Sequence, residues 1–328
     1  MPNLVEVDSL AVGYPKGGTW RDVVDGVSLR LGDGGALGVV GESGSGKTLT
    51  SLALLGLVPE PGRITRGRVQ VAGLDVVGAG ESDLRRLRGA VVGMVFQDPA
   101  LALNPVLRVG AQVVEAAVLH RRVEPADRQA LASRLLEEVG LGGQDALRRA
   151  FPHQLSGGQR QRVMLASALA GNPSLVIADE PTASLDALAR ERFLRQVRTL
   201  REERGLALIL ISHDLALVAA AASTIAVLHA GETVESGPAT EVMRTPLHPY
   251  TRALVRCARD GASTAGGALA TVPGKVPEPE AWGPGCRFVG RCGEAFERCR
   301  WARPELVEVD TERSVRCFLY GEQESSDG

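Results

Sequence analysis

Residues 36–57 read ALGVVGESGSGKTLTSLALLGL, and this stretch decides the fold. A short apolar β-type run, Ala36 to Val40, leads into Gly41-Glu42-Ser43-Gly44-Ser45-Gly46-Lys47-Thr48, which fits G-x-x-x-x-G-K-[ST], and a helical run follows. Strand, glycine-rich loop and helix, in that order, are what phosphate binding needs. The glycines let backbone N–H groups wrap an anion, and the helix N-terminus adds positive potential. Lys47 reaches the β and γ phosphates, and Thr48 can ligate Mg2+. The expected class is α/β.

Further along, SLVIAD at 174–179 and ALILIS at 207–212 are short, continuous apolar runs joined by an Arg-rich helical segment, 188–204. Such runs suit parallel strands buried on both faces and linked by a crossover helix. Arg192, Arg195, Arg198 and Arg201 sit at helical spacing and read as a solvated face. The first run ends in Asp179 and Glu180. Asp179 is placed to hold Mg2+, while Glu180 can orient and deprotonate an attacking water. Upstream, Leu155-Ser156-Gly157-Gly158-Gln159 opens another helical run, so Ser156, Gly157 and Gly158 form a second anion nest.

The whole stretch LSGGQRQRVMLASALAGNPSLVIADEPTASLD, 155–186, resembles the ABC ATPase family. The resemblance implies a P-loop NTPase core with a mixed sheet and a helical subdomain, and hydrolysis of ATP with Mg2+. It also implies that Ser156 to Gln159 bind the γ-phosphate of ATP held by a second ATPase subunit, identical or related. Gln97 in VFQDP matches the loop that senses Mg2+ and the water. His213 in LILISHD matches the switch histidine, and Asp186 in SLD the loop that crosses the dimer interface. Tyr14 in AVGYP is the candidate aromatic for stacking on adenine. Read without the resemblance, Gln97 is a polar strand end, Asp186 a helix cap and His213 open between roles.

GESGSGKTLTSLALLGLVP at 41–59, FQDPALALNPVLRVGAQ at 96–112 and HPYTRAL at 248–254 resemble oligopeptide and dipeptide importer ATPases in particular. That resemblance implies two membrane permeases as partners, an extracellular or periplasmic solute-binding protein served indirectly, and a peripheral place on the cytoplasmic face of the membrane. It makes 98–110 the candidate surface for a permease coupling helix. Import of nickel or another small solute is the alternative among transporters. A soluble ABC ATPase working on DNA or ribosomes is the alternative of another class. Against it, the chain has neither an inserted coiled coil nor a second ATPase set.

Composition agrees. With Lys+Arg 37 against Asp+Glu 39, the net charge of -2 offers no footprint for nucleic acid. Hydrophobic residues at 44% and charged residues at 23% suit a soluble globular body. The N-terminus lacks a signal-peptide progression, and the apolar stretch 215–230 is shorter than the roughly 20 residues a membrane span needs.

The chain divides, on composition, into an ATPase domain over 1–258, helical over about 98–170, and a C-terminal region over 259–328. The Gly-, Ala- and Pro-rich stretch 259–285 reads as a linker. Cys286, Cys292, Cys299 and Cys317 follow it, separated by five, six and seventeen residues. Four thiolates so close suit a tetrahedral metal such as zinc or an iron–sulfur cluster, and the spacing alone does not choose. The importer resemblance implies a [4Fe-4S] site there. Cys257 stands apart and reads as a buried small hydrophobe.

Overall fold

The computed structural model describes residues 3–143, 145–183, 185–261 and 272–320. The chain forms two compact units: Met1–Leu4, Leu31–Ala36 and Val71–Ile211 make one, and Val5–Arg30, Leu37–Gln70 and Ser212–Gly328 the other.

In the second unit, which holds the phosphate loop, strands lie in the order Val307–Asp310, Arg313–Val315, Glu232–Pro238, Thr224–His229, Ala36–Val40. The first three pairings are antiparallel, and the last is parallel, with Leu37 opposite Thr224 and Val40 opposite Val227. The expected mixed sheet is therefore present. Ala36–Val40 is buried along its whole length. A Cβ added at Gly38 would fall 1.9 Å from Val218 Cγ1, so the glycine is what lets helix Leu215–Ala221 lie against this strand.

A further layer of the same unit orders Thr19–Leu31, Val5–Lys16 and Arg63–Val71 side by side. The first two strands run 13 and 12 residues, well beyond the short runs at 27–31 and 4–7 that the sequence suggests. Gly13, Pro15 and Gly26 look like breaks but are accommodated inside the strands. Gly26 sits at φ 101 with Arg303 Nη2 2.8 Å from where a Cβ would be, the behaviour of a bulge-type glycine.

The C-terminal segment packs within this unit. Glu235 pairs with Val315 and Ser236 with Ser314 across the antiparallel edge. Asp25 and the almost fully buried Glu232 are met by the guanidinium groups of Arg66, Arg287, Arg303 and Arg316. Arg303 donates to both at 2.8 Å, Arg287 pairs with Asp25, and Arg316 Nε reaches the Thr233 carbonyl at 3.0 Å. Burial opposes ionisation of Asp25, but Arg66, Arg303 and Arg287 outweigh it and hold the carboxyl below its ordinary range. Trp282 carries the Arg287 guanidinium 3.6 Å over its ring. Residues 262–271 of the expected linker lie outside the described residues.

In the first unit, Ala207–Ser212, Leu175–Asp179 and Val92–Val95 form parallel neighbours in that order. The two apolar runs are buried at every position, as their composition requires. The crossover helix Ala187–Arg204 buries Phe193, Val197 and Leu200, turns Arg192, Arg195 and Arg198 outward, and stops at Gly205 with φ 63. Beyond Pro99 the chain is helical: Pro99–Ala102, Val109–Val113, Glu115–Leu119, Arg128–Glu138, Asp145–Arg149 and Gly157–Leu169. Val114, at φ -96 and ψ 0, splits what the periodicity suggests is one helix over 109–119. Among the described residues no helix is long and apolar enough to cross a membrane.

Candidate functional site

The phosphate loop is held open by glycines that the surrounding chain demands. A Cβ on Gly41 would stand 2.2 Å from the Leu228 carbonyl oxygen and 2.6 Å from Ser45 Oγ. Gly44 and Gly46 take φ 81 and 94, the left-handed region that L side chains avoid. Helix Lys47–Leu54 starts directly from Gly46. Its N-terminal N–H groups therefore face the loop's hollow. Lys47 is nearly buried and donates to the carbonyls of Gly41 at 2.7 Å and Glu42 at 3.0 Å. The loop's own carbonyls thus hold the ammonium at the point where phosphate oxygens would replace them. Ser43, Gly44 and Thr48 are exposed, and Ser45 is fully buried.

Tyr14 lies half-buried on Val5–Lys16, its ring against Gly62, where a Cβ would come within 2.5 Å of Cζ. His213 follows strand Ala207–Ser212 and is exposed, with Asp214 capping the next helix by accepting from Leu217 N at 3.0 Å.

In the other unit, Asp179 ends the strand Leu175–Asp179 at 2% exposure, and Glu180 follows it at 9%. Glu180 takes φ 45, rare for a side-chain-bearing residue, and its N–H donates to the Ile211 carbonyl at 2.9 Å. Such backbone strain is kept where a side chain must be aimed. Gln97 is exposed just beyond Val92–Val95, and Asp98 caps the next turn through a 2.8 Å bond from Ala100 N.

Ser156 is the N-cap of Gly157–Leu169, and Gln159 returns a 2.9 Å bond from the Ser156 N–H, a full capping box. Leu155 is buried beneath it. At Gly157, by contrast, an added Cβ would have nothing within 4 Å, and at Gly158 only Leu185 at 3.9 Å. Asp186 accepts from Ala189 N at 2.8 Å and so caps Ala187–Arg204.

The comparisons with known proteins agree with this geometry. Residues 24–183 match the family described as ABC transporter, and 234–299 match that described as oligopeptide/dipeptide transporter, C-terminal region. The oligopeptide transport ATP-binding protein AppD of Bacillus subtilis is 38% identical over 98% of this chain and 98% of its own. The chain belongs to the ABC transporter ATP-binding family. The dipeptide transport ATP-binding protein DppD of Escherichia coli is 40% identical, covering 96% of each chain. Among solved structures, a dimeric post-hydrolysis state of the ATP-binding cassette MJ0796 bound to ADP and Pi matches with TM-score 0.64 and 28% identity, over 72% of this chain and 98% of that one. As an ABC ATPase, the chain couples ATP hydrolysis to transport.

Among the described residues no group of three or more His, Cys, Asp or Glu could hold a metal ion. Cys286, Cys292, Cys299 and Cys317 nonetheless line one cavity, together with Phe288, Phe296 and Phe318. Burial pushes the Cys286 thiol up to about 12 and raises Cys292 and Cys317. Cys257, half-buried on Pro249–Gly261, lies away from this lining.

Sequence reading missed three residues at the phosphate loop. Tyr250 Oη accepts from the Glu42 N–H at 3.0 Å, Arg291 grips the Glu42 carboxylate at 2.8 and 2.9 Å, and His229 Nδ1 lies 4.0 Å from it. The available signal was Glu42 itself: an acid in a loop built for a polyanion calls for a cation.

Proposed function

We propose that this chain is the ATP-hydrolysing subunit of an importer of di- and oligopeptides. The observation that carries this reading is the match of both ends. The segment 24–183 matches the ABC transporter family and 234–299 the oligopeptide/dipeptide transporter C-terminal region, and the peptide transport relatives align with the chain over nearly their full length. On this reading the chain has an ATPase domain over 1–258 and a C-terminal region over 259–328.

Lys47 and the N–H groups of Gly44 to Thr48 hold the β and γ phosphates, and Tyr14 stacks on adenine. Thr48, Gln97 and Asp179 would hold Mg2+, which would supply charge to neutralise the phosphates; a carboxylate and a hydroxyl are the oxygen donors such an ion takes. Glu180 takes the proton of the attacking water, and His213 contacts the γ-phosphate. Ser156 to Gln159 close over the ATP of a second ATPase subunit. The open space at Gly157 supports this, because a glycine kept where its own chain leaves room is explained by something arriving from outside.

Two membrane permeases dock on the helical segment, which places the chain on the cytoplasmic face of the membrane. Leu101 and Val106 are 86% and 75% exposed, and Leu119, 71% exposed, lines with Leu107 and Val118 a groove of about 680 Å3. Apolar side chains left in water at this density support a docking face over 98–110.

The four cysteines support a [4Fe-4S] cluster more than a single zinc ion. The four sulfurs line one cavity, and as thiolates they would be the ligands that hold its iron. Bound there, it would tie the C-terminal segment together. Anaerobically purified protein should show visible charge-transfer absorption that Cys292→Ser removes. Colourless protein with stoichiometric zinc would reverse the choice.

The test of the main reading is reconstitution with the permeases encoded beside it and their solute-binding protein. ATP hydrolysis should rise on adding di- or oligopeptide; stimulation by nickel salts alone would replace peptide import with metal import.

A further inference from the structure

The motif G-x-x-x-x-G-K-[ST] leaves its second position free, and here it is Glu42. A carboxylate in a loop that must receive a polyphosphate opposes binding unless it is neutralised and held aside. The fold does both with groups from two distant parts of one unit, Arg291 and Tyr250. Arg291 Nη1 and Nη2 donate to the two carboxylate oxygens at 2.8 and 2.9 Å, a bidentate pair. The Arg291 side chain is 7% exposed, and its remaining donors bond the Pro273 carbonyl at 2.7 Å and the Val272 carbonyl at 3.1 Å. The guanidinium is therefore fixed by its own surroundings and brings Glu42 to itself. On the backbone side, the fully buried Tyr250 accepts from the Glu42 N–H. The Glu42 carbonyl in turn accepts from Lys47 Nζ at 3.0 Å. One residue thus connects a guanidinium of the C-terminal region to the ammonium that meets phosphate.

We propose that Arg291 is a positioning residue for ATP binding: it neutralises and anchors Glu42, and through Glu42 it sets the phosphate loop and Lys47. The turn Val289–Arg291 lies between Cys286 and Cys292 in the chain, so the C-terminal region is part of the ATP site rather than an appendage.

The assembled transporter tests this by the split between KM for ATP and kcat. Arg291→Ala should raise KM for ATP about tenfold, as expected when a binding loop shifts by a fraction of an ångström, with kcat at saturating ATP within about twofold. Arg291→Lys should recover little, because an ammonium does not reproduce the fork. The decisive variant is Arg291→Ala combined with Glu42→Gln. It removes the stranded carboxylate and should return KM to within about threefold of the parent, a rescue that a merely structural arginine would not show. Should Arg291→Ala fail to fold, Arg291→Lys with and without Glu42→Gln carries the same comparison. An unchanged KM in the single variant, a double variant no better than the single one, or a fall in kcat alone would each overturn the proposal.

Discussion

The phosphate loop, 41–48, and the loop Ser156–Gln159 are both glycine-rich turns into a helix, yet their glycines meet different surroundings. At Gly41, Gly44 and Gly46 the chain's own atoms or dihedrals leave no place for a side chain. At Gly157 a side chain would meet open space, and the turn is already satisfied by the Ser156–Gln159 capping box. The first loop is a finished half-site whose form its own unit explains. The second has open space that, on the proposed closure, the nucleotide of a second subunit would fill. That difference is what an ATPase needs if it is to work only when two copies close on nucleotide.

The largest effect separates chemistry from both loops. Glu180→Gln removes the proposed base without touching either loop's residues, so turnover of the assembled transporter should fall by about 10²- to 10⁴-fold while ATP binding persists. Loss of ATP binding along with turnover would mean that Glu180 shapes the loops rather than the water.

Most of this comparison was legible in the sequence, because the phosphate loop and the strands 36–40, 174–179 and 207–212 depend on local pattern. Continuous apolar runs ending in Asp179 or before His213 have few other uses. What escaped was non-local. The strand Thr19–Leu31 crosses Asp25 and Gly26, which look like a turn until Arg287 and Arg303 pair with Asp25 from the far end of the chain. The hairpin Val307–Asp310 and Arg313–Val315 is too charged to read as sheet, and it exists because Glu232–Pro238 offers an edge. Arg291 reaches Glu42 over 249 positions, a separation no local pattern reports.

Acid should weaken the unit that holds the phosphate loop. His229 is fully buried between Tyr250 and Phe288 at ring separations of 4.4 and 5.3 Å. Burial, and then the Arg291 charge, lower its pKa to about 4 against an ordinary 6.5. Above 6.5 it is neutral folded or unfolded, and stability does not depend on it. Between 6.5 and 4 only the unfolded chain takes up the proton, so stability falls as pH falls, by about 3 kcal/mol in all. Below 4 the folded form protonates too and the slope ends. Thermal unfolding from pH 7 to 4.5 should show this slope, and His229→Leu should reduce it, leaving the part owed to His248, whose pKa burial lowers to about 3. An equal slope in the variant would assign the acid sensitivity elsewhere.

Gly41→Ala tests the claim that the phosphate loop is fixed from within. The added methyl meets the Leu228 carbonyl oxygen, a backbone atom that yields only with its strand, so destabilisation of about 1–3 kcal/mol is expected together with weaker ATP binding. Wild-type stability and affinity would show that the loop relaxes freely.

Gly157→Ala should have the smallest effect on the fold and says most about the difference between the loops. The position opens a helix whose N-cap bonds belong to Ser156 and Gln159, and the new methyl touches nothing in its own chain. Alanine is the better helix former, so unfolding measurements should show no loss and up to about 1 kcal/mol of gain. The same methyl points where a partner's nucleotide would come, so hydrolysis by the assembled transporter should fall although the variant is as stable as its parent and binds ATP at its own phosphate loop. Stability and activity moving apart at Gly157, and together at Gly41, is the pattern that distinguishes a loop completed by its own chain from one completed by another. If Gly157→Ala hydrolysed ATP at the parental rate, the open space there would be only surface, and the closure of two ATPase subunits would have to rest on other contacts.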